Sequence, residues 1–268
     1  MINESPIGVF DSGVGGLSIA CKIRDILPNE NLLYVADSAH TPYGDKSEAY
    51  VYERAVLILQ FLIERKVKAV VVACNTVTVS AIQKLRSEFS VPVIGVEPGI
   101  KPAVSKTRSG VIGVLATTQT LSSTSFNNLS GTLSETVKIE IQPCPGLVEQ
   151  VESLELMSQK TRRLVRKYVF PLLDKGADKI VLGCTHYAFL APLIGEIAGP
   201  DIEIINTATA VARETARRLQ AERLLSVSDL SGIDEFCSSG AEKIANKQFS
   251  QLWGAPVKVH KILSGHQV

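Results

Sequence analysis

The sequence lacks several features that announce common functions. It has no Cys-x-x-Cys pair, and its five cysteines (21, 74, 144, 184 and 237) form an odd set. That usage argues against a disulfide framework or a zinc site and reads as free thiols. No apolar run reaches the roughly 18 residues of a membrane-spanning helix. No basic run exceeds a few residues and the net charge is +1, so no direct nucleic-acid partner is expected. The opening Met-Ile-Asn-Glu-Ser-Pro has no charged segment backed by an apolar stretch, so no secretory leader and a cytoplasmic location are expected. After Gly13 and Gly15, position 18 is Ser, which breaks the dinucleotide fingerprint, and no Gly-Lys-Ser/Thr follows for a P-loop.

What is present is a pair of echoing stretches. Residues 67–76 read Val-Lys-Ala-Val-Val-Val-Ala-Cys-Asn-Thr, and residues 177–186 read Ala-Asp-Lys-Ile-Val-Leu-Gly-Cys-Thr-His. Each is an apolar, β-branched run that stops at a cysteine followed by small polar residues. Such runs fit strands of a parallel sheet buried on both faces. Their carboxyl ends face the crevice where α/β folds bind ligands, which places Cys74 and Cys184 where chemistry is usually done.

The echo extends along the chain. Ile7–Phe10 resembles the run at 111–116 with an offset of 105, while Cys74 to Cys184 and Glu97 to Thr207 are both offsets of 110. We therefore expect an α/β fold of two pseudo-symmetric lobes, each a mostly parallel sheet flanked by helices, with the active site in the cleft between them. The first lobe takes residues 1–98 plus 208–268 and the second takes 99–207. Length and a 45% apolar content suffice for both cores. The strand–glycine-turn–helix at 7–27 suits a phosphate or carboxylate. Asp45 with Glu48 resembles a capping box opening a helix to Arg65. The helix from Ser158 to Gly176 is expected to be interrupted at Pro171. The tail carries a strand at 233–237, a helix at 242–253 and a strand at 257–262. It should rejoin the first lobe, because such a remnant cannot hold a core alone.

Two thiols flanking one small substrate solve a specific problem. Inverting a carbon acid needs one group to take a proton from one face and another to deliver one to the opposite face. A thiol does either job according to its protonation state. Asp11, at the end of the first strand, can lie beside Cys74, and His186 follows Cys184 by two residues. Ser12, Asn75, Thr76, Thr117, Thr120 and Thr185 add hydroxyls and an amide that fit an amino-acid substrate. Taken singly, each residue has a plainer reading. A strand-end cysteine is often a small buried hydrophobe, Asp11-Ser12-Gly13 a turn and cap, His186 a structural hydrogen-bonder, and Tyr43-Gly44 an ordinary turn. Cys21, Cys144 and Cys237 lack paired surroundings and read as structural. Two other functions compete: a two-lobed amino-acid-binding protein, and a hydrolase using Cys184 and His186 as nucleophile and base.

Seven pieces together make the chain resemble the glutamate racemases of the aspartate/glutamate racemase family. They are Phe10-Asp-Ser-Gly-Val-Gly-Gly-Leu17, Asp37 with Pro42-Tyr-Gly44, Ala73-Cys-Asn-Thr76, Gly95-Val-Glu-Pro98, Ala116-Thr-x-x-Thr120, Cys144-Pro145 and Gly183-Cys-Thr-His-Tyr187. The resemblance implies interconversion of L- and D-glutamate without pyridoxal phosphate or metal, supplying D-glutamate for peptidoglycan. It implies Cys74 acting on the D-isomer and Cys184 on the L-isomer, assisted by Asp11 and His186, with Glu152 supporting His186. Substrate contacts would come from Asp11, Ser12, Pro42, Tyr43, Gly44, Asn75, Thr76, Thr117, Thr120, Thr185 and His186. A homodimer is implied as well. A relative acting on aspartate differs by one methylene and stays open as an alternative. Two positions depart from the family pattern. Ala188 replaces a usual proline, which is expected to loosen the following helix start, and Asn206-Thr207 replaces Asp-Ser, removing a charge.

Overall fold

The computed structural model describes residues 4–133 and 137–262. The expected first lobe includes 1–3 and 263–268, which lie outside them. Among the described residues ten strands run in chain order: β1 (Ile7–Asp11), β2 (Leu32–Ala36), β3 (Ala69–Val72), β4 (Val93–Gly95), β5 (Val111–Ala116), β6 (Lys138–Pro143), β7 (Lys179–Gly183), β8 (Glu203–Ile205), β9 (Asp234–Ser238) and β10 (Val259–Lys261). Between them lie α1 (Leu17–Ile26), α2 (Glu48–Glu64), α3 (Asn75–Glu88), α4 (Ile100–Lys106), α5 (Thr118–Ser122) and α6 (Thr124–Leu133). The remaining helices are α7 (Leu147–Glu152), α8 (Gln159–Asp174), α9 (Ala191–Ala198), α10 (Ala208–Ala221) and α11 (Glu242–Trp253).

The strands form two parallel sheets, and the internal repeat is visible in their order. One sheet runs β10-β9-β2-β1-β3-β4 and the other β6-β5-β7-β8. The second is the β2-β1-β3-β4 unit of the first repeated, without the tail strands. Ile7 pairs with Ala69 in one sheet and Ile112 with Lys179 in the other, matching the sequence offsets. The tail joins the first sheet through β9, which pairs with β2. Val70, Val71 and Val72 are wholly buried because helices cover both faces of β3. Each such side chain contributes on the order of 1.5 kcal/mol. No helix among the described residues is long and apolar enough to cross a membrane.

Two local expectations change, and a third position can be placed. The cap of α2 is Ser47, whose side chain accepts from Tyr50 N at 3.3 Å; Asp45 instead ends a 3-10 turn over Tyr43–Asp45. Ser47 stands directly before the first helical residue, so its oxygen reaches the free N–H groups that Asp45 cannot. Helix α8 runs unbroken through Pro171 to Asp174. The proline falls in the last turn, where few helical bonds remain downstream to be disturbed. Ala188 lies in a 3-10 turn (Thr185–Leu190) that leads directly into α9, whose first turn holds Pro192. A proline two positions into the helix supplies the pre-set φ that position 188 lacks.

A buried ion pair ties together the amino ends of β2 and β3, the strands on either side of β1. Lys68 Nζ lies 2.5 Å from Glu30 Oε2 with both side chains almost fully enclosed, and Glu30 Oε1 accepts from Ser226 N at 2.7 Å. Removing one partner leaves the other charge desolvated. Lys68→Met is therefore expected to cost roughly 3–5 kcal/mol in urea unfolding, and adding Glu30→Met should recover a large part of that. A single variant costing under about 1 kcal/mol would contradict a tightly enclosed pair.

Candidate active site

The carboxyl ends of the two sheets face each other, and the predicted residues collect there. Cys74 lies two residues after β3, past Ala73, at the N-cap position of α3; Cys184 directly follows β7 at the N-cap position of the 3-10 turn. Ser12, Cys74, Asn75 and Thr76 line one wall of a small cavity, with Cys184, Thr185 and His186 opposite. Pro42, Tyr43, Gly44, Thr117 and Val148 complete the lining. Val148 carries no chemistry that a sequence pattern could flag. Asp11 and Thr120 are wholly buried and lie behind this lining. The cavity measures about 10 Å³, room for about one water. The seam is closed.

Hydrogen bonds across the seam explain the closure. Thr185 Oγ1 donates to Asp11 Oδ2 at 3.0 Å, while Ser12 Oγ donates to Asp11 Oδ1 at 3.1 Å. The hydroxyls of Thr76, Thr117 and Thr120 form a triangle with sides of 3.3, 3.3 and 2.9 Å. Val14 N donates to Glu152 Oε1 at 2.9 Å. The glycine turn after β1 thus does hold a carboxylate, and it is one of the protein's own. Its glycines are set by close approach. A Cβ on Gly15 would stand 2.6 Å from Thr185 Oγ1 and closer still to the His186 ring.

The two thiols have different surroundings. Cys74 Sγ is 3.8 Å from Ser12 Oγ, so the Ser12 hydroxyl links it to Asp11. Burial first, and then the nearby Asp11 charge, push the Cys74 thiol well above its ordinary value; the Val77 N–H at the start of α3 works the other way. Cys184 Sγ is 3.8 Å from His186 Nδ1, and His186 Nε2 is 2.7 Å from Glu152 Oε1. Burial alone would lower the His186 pKa, but hydrogen bonds and charge from Cys184 and Glu152 hold it well above its ordinary 6.5. Asp11 is raised by burial, only partly offset by His186 and the two hydroxyls.

Further hydrogen bonds brace the lining from outside, and one of them brings in Arg54, which the sequence did not single out. Tyr43 O–H donates to Asp37 at 2.6 Å, and Arg54 grips the same carboxylate with two bonds of 2.9 Å. Asn75 Nδ2 donates to Val96 O at 3.1 Å, tying α3 to the residue after β4. Asn206, despite its lost charge, accepts from Ala208 N at 2.9 Å at the start of α10.

The family model for Asp/Glu/Hydantoin racemases matches residues 17–215. The chain belongs to that family. Within it, a glutamate racemase from Methylococcus capsulatus is 53% identical over 263 residues, covering 98% of this chain and 97% of the relative. Another from Pseudomonas aeruginosa is 44% identical, covering 98% and 99%. Among solved structures, a glutamate racemase isoform from Bacillus anthracis superposes with a TM-score of 0.89 at 32% identity, covering 98% of each chain. A Francisella tularensis glutamate racemase in complex with D-glutamate gives 0.86 at 27% identity, covering 99% of each. The two-lobed racemase fold expected from the repeat is therefore the fold of this chain.

The raised His186 pKa links stability to pH. The folded state holds the proton more tightly than the unfolded chain, so this stabilisation is complete below about 6.5 and fades as pH rises through the higher folded value. Glu152→Gln removes one of the two groups that raise it, leaving Cys184. The melting-temperature gap between wild type and Glu152→Gln should be wider at pH 6 than at pH 10. An equal gap at both would mean that the imidazole is not held protonated.

Proposed function

We propose that this protein is a glutamate racemase, an isomerase that interconverts L- and D-glutamate without a cofactor through two cysteine acid/base groups. The observation that supports the reading is that Cys74, from the first sheet, and Cys184, from the second, line one small cavity. Cys184 takes the Cα proton of L-glutamate while Cys74 delivers one to the other face, and the reverse reaction exchanges the roles. His186, held by Glu152, sits 3.8 Å from Cys184 to move a proton on that side. Asp11 acts on the Cys74 side through Ser12. The hydroxyls of Thr76, Thr117 and Thr185, with Asn75, Pro42, Tyr43 and Gly44, bind the carboxylates and ammonium. Thr120 steadies Thr76 and Thr117 from behind.

Burial of Cys74 disfavours its thiolate in the closed cleft. The substrate ammonium, adjacent to Cα, supplies the positive charge that eases ionisation once glutamate is bound. Admission requires the lobes to part, because glutamate far exceeds the 10 Å³ available. Reclosure then excludes water from the carbanion-like transition state. The moving bodies are a first lobe of 1–98 with 208–268 and a second of 99–207. D-glutamate made here would feed peptidoglycan synthesis. The protein would work as a cytoplasmic homodimer, in a compartment where free thiols persist.

Incubation of each glutamate enantiomer in D₂O, with no cofactor added, tests the reading. Both enantiomers should invert, with one solvent deuterium entering Cα. Aspartate should be slower by roughly 10- to 200-fold in kcat/KM, the value of one methylene. Retention of configuration and of the Cα proton for both amino acids would refute a racemase of either.

A further inference from the structure

One interaction at the site comes from an element that the reaction does not otherwise use. Gln248 lies on α11, in the C-terminal tail, and its side chain is buried. Its Nε2 donates to the backbone carbonyl of Glu152 at 2.6 Å and to Glu152 Oε2 at 3.2 Å. The other carboxylate oxygen, Oε1, already accepts from Val14 N and lies against His186 Nε2. Glu152 is the last residue of α7, where the helix no longer constrains the side chain. Both of its carboxylate oxygens are nevertheless fixed, one by the glycine turn and imidazole, the other by the tail.

We propose that Gln248 is a positioning residue for the Cys184 half of the reaction, acting through Glu152 and His186. The inference rests on the racemase reading and extends it to a residue outside the cleft. A carboxylate with one free oxygen can rotate, and rotation would carry Oε1 away from His186. The neutral amide locks the orientation without adding a second charge. Its two acceptors, one main-chain and one side-chain, couple the end of α7 to the carboxylate it bears. The Cys74 side has no comparable link to the tail among the described hydrogen bonds, so losing Gln248 should slow one proton transfer selectively.

A racemase hides such asymmetry in kcat/KM. The equilibrium constant between enantiomers is one, so kcat/KM must fall equally in both directions. Isotope effects do not share that constraint. In the full-length protein, Gln248→Leu keeps the volume and removes the donor. It should lower kcat/KM by roughly 10- to 100-fold, the effect of a misplaced catalytic group. The Cα-deuterium effect should rise from L-glutamate, whose proton Cys184 removes, and fall from D-glutamate, where Cys184 only returns one.

Gln248→Glu is isosteric and protects the test against a folding defect. It sets two carboxylates about a hydrogen bond apart. Donation survives only while that pair shares a proton. Other titratable groups close enough to act on Glu152 are His186, Asp11 and Tyr34. Activity of Gln248→Glu relative to wild type should therefore recover as pH is lowered. Unchanged isotope effects, or equal changes from both enantiomers, with only a lower melting temperature would make Gln248 merely structural and overturn the proposal. A wild type that exchanges no Cα proton would instead overturn the racemase reading and this inference with it.

Discussion

One carboxylate oxygen of Glu152 meets two groups from opposite sides of the seam between the sheets. Val14 N reaches it from the turn after β1, and His186 Nε2 from the turn after β7. The site depends on this convergence. The glycines at 13 and 15 leave the space for it, since a Cβ at either would intrude on Glu152 or His186. The same bonds that shape the imidazole's chemistry also hold the lobes shut. Opening the cleft to admit a substrate must break Val14–Glu152 and Thr185–Asp11 together. Closure and readiness are therefore physically one event in this molecule.

The two halves of the fold are near copies, yet their chemistry is not. Register puts Ser12 beside Cys74 in one sheet and Thr117 beside Cys184 in the other. The first strand ends in Asp11 where its counterpart ends in Ala116, so only one lobe brings a carboxylate on its own strand. The second lobe answers with an imidazole beside Cys184. Each thiol thus has a titratable partner of opposite charge type. A reaction that runs in both directions through two thiols has use for that complementarity.

Much of this was legible before any coordinates. Uninterrupted β-branched runs ending at cysteines located β3 and β7, because strands buried on both faces leave little room for polar residues. The nearly constant offsets of 105 and 110 residues revealed the repeat and hence the facing sheets. Between 118 and 157 the sequence offers motif residues such as Thr120, Cys144 and Glu152 but no legible strand or helix. Its strand β6 is an edge strand with mostly half-exposed residues, so Lys138–Pro143 carries no continuous apolar run. Asp45 was mistaken for a cap because a capping box is a spacing rule, and Ser47 satisfied the same helix from closer by. Arg54, which braces Asp37, and Gln248 support the site across distances in sequence that no local pattern encodes. They emerge only when α2 and α11 are packed around it.

The central claim is that Cys74 and Cys184 act from opposite faces of a single substrate. The most direct measurement is racemisation by Cys74→Ala and Cys184→Ala separately, each checked for an unchanged melting temperature. The account predicts that either substitution alone reduces inversion in both directions by about 100-fold or more, because neither thiol replaces the other. A folded single variant that racemises glutamate at close to the wild-type rate would contradict it.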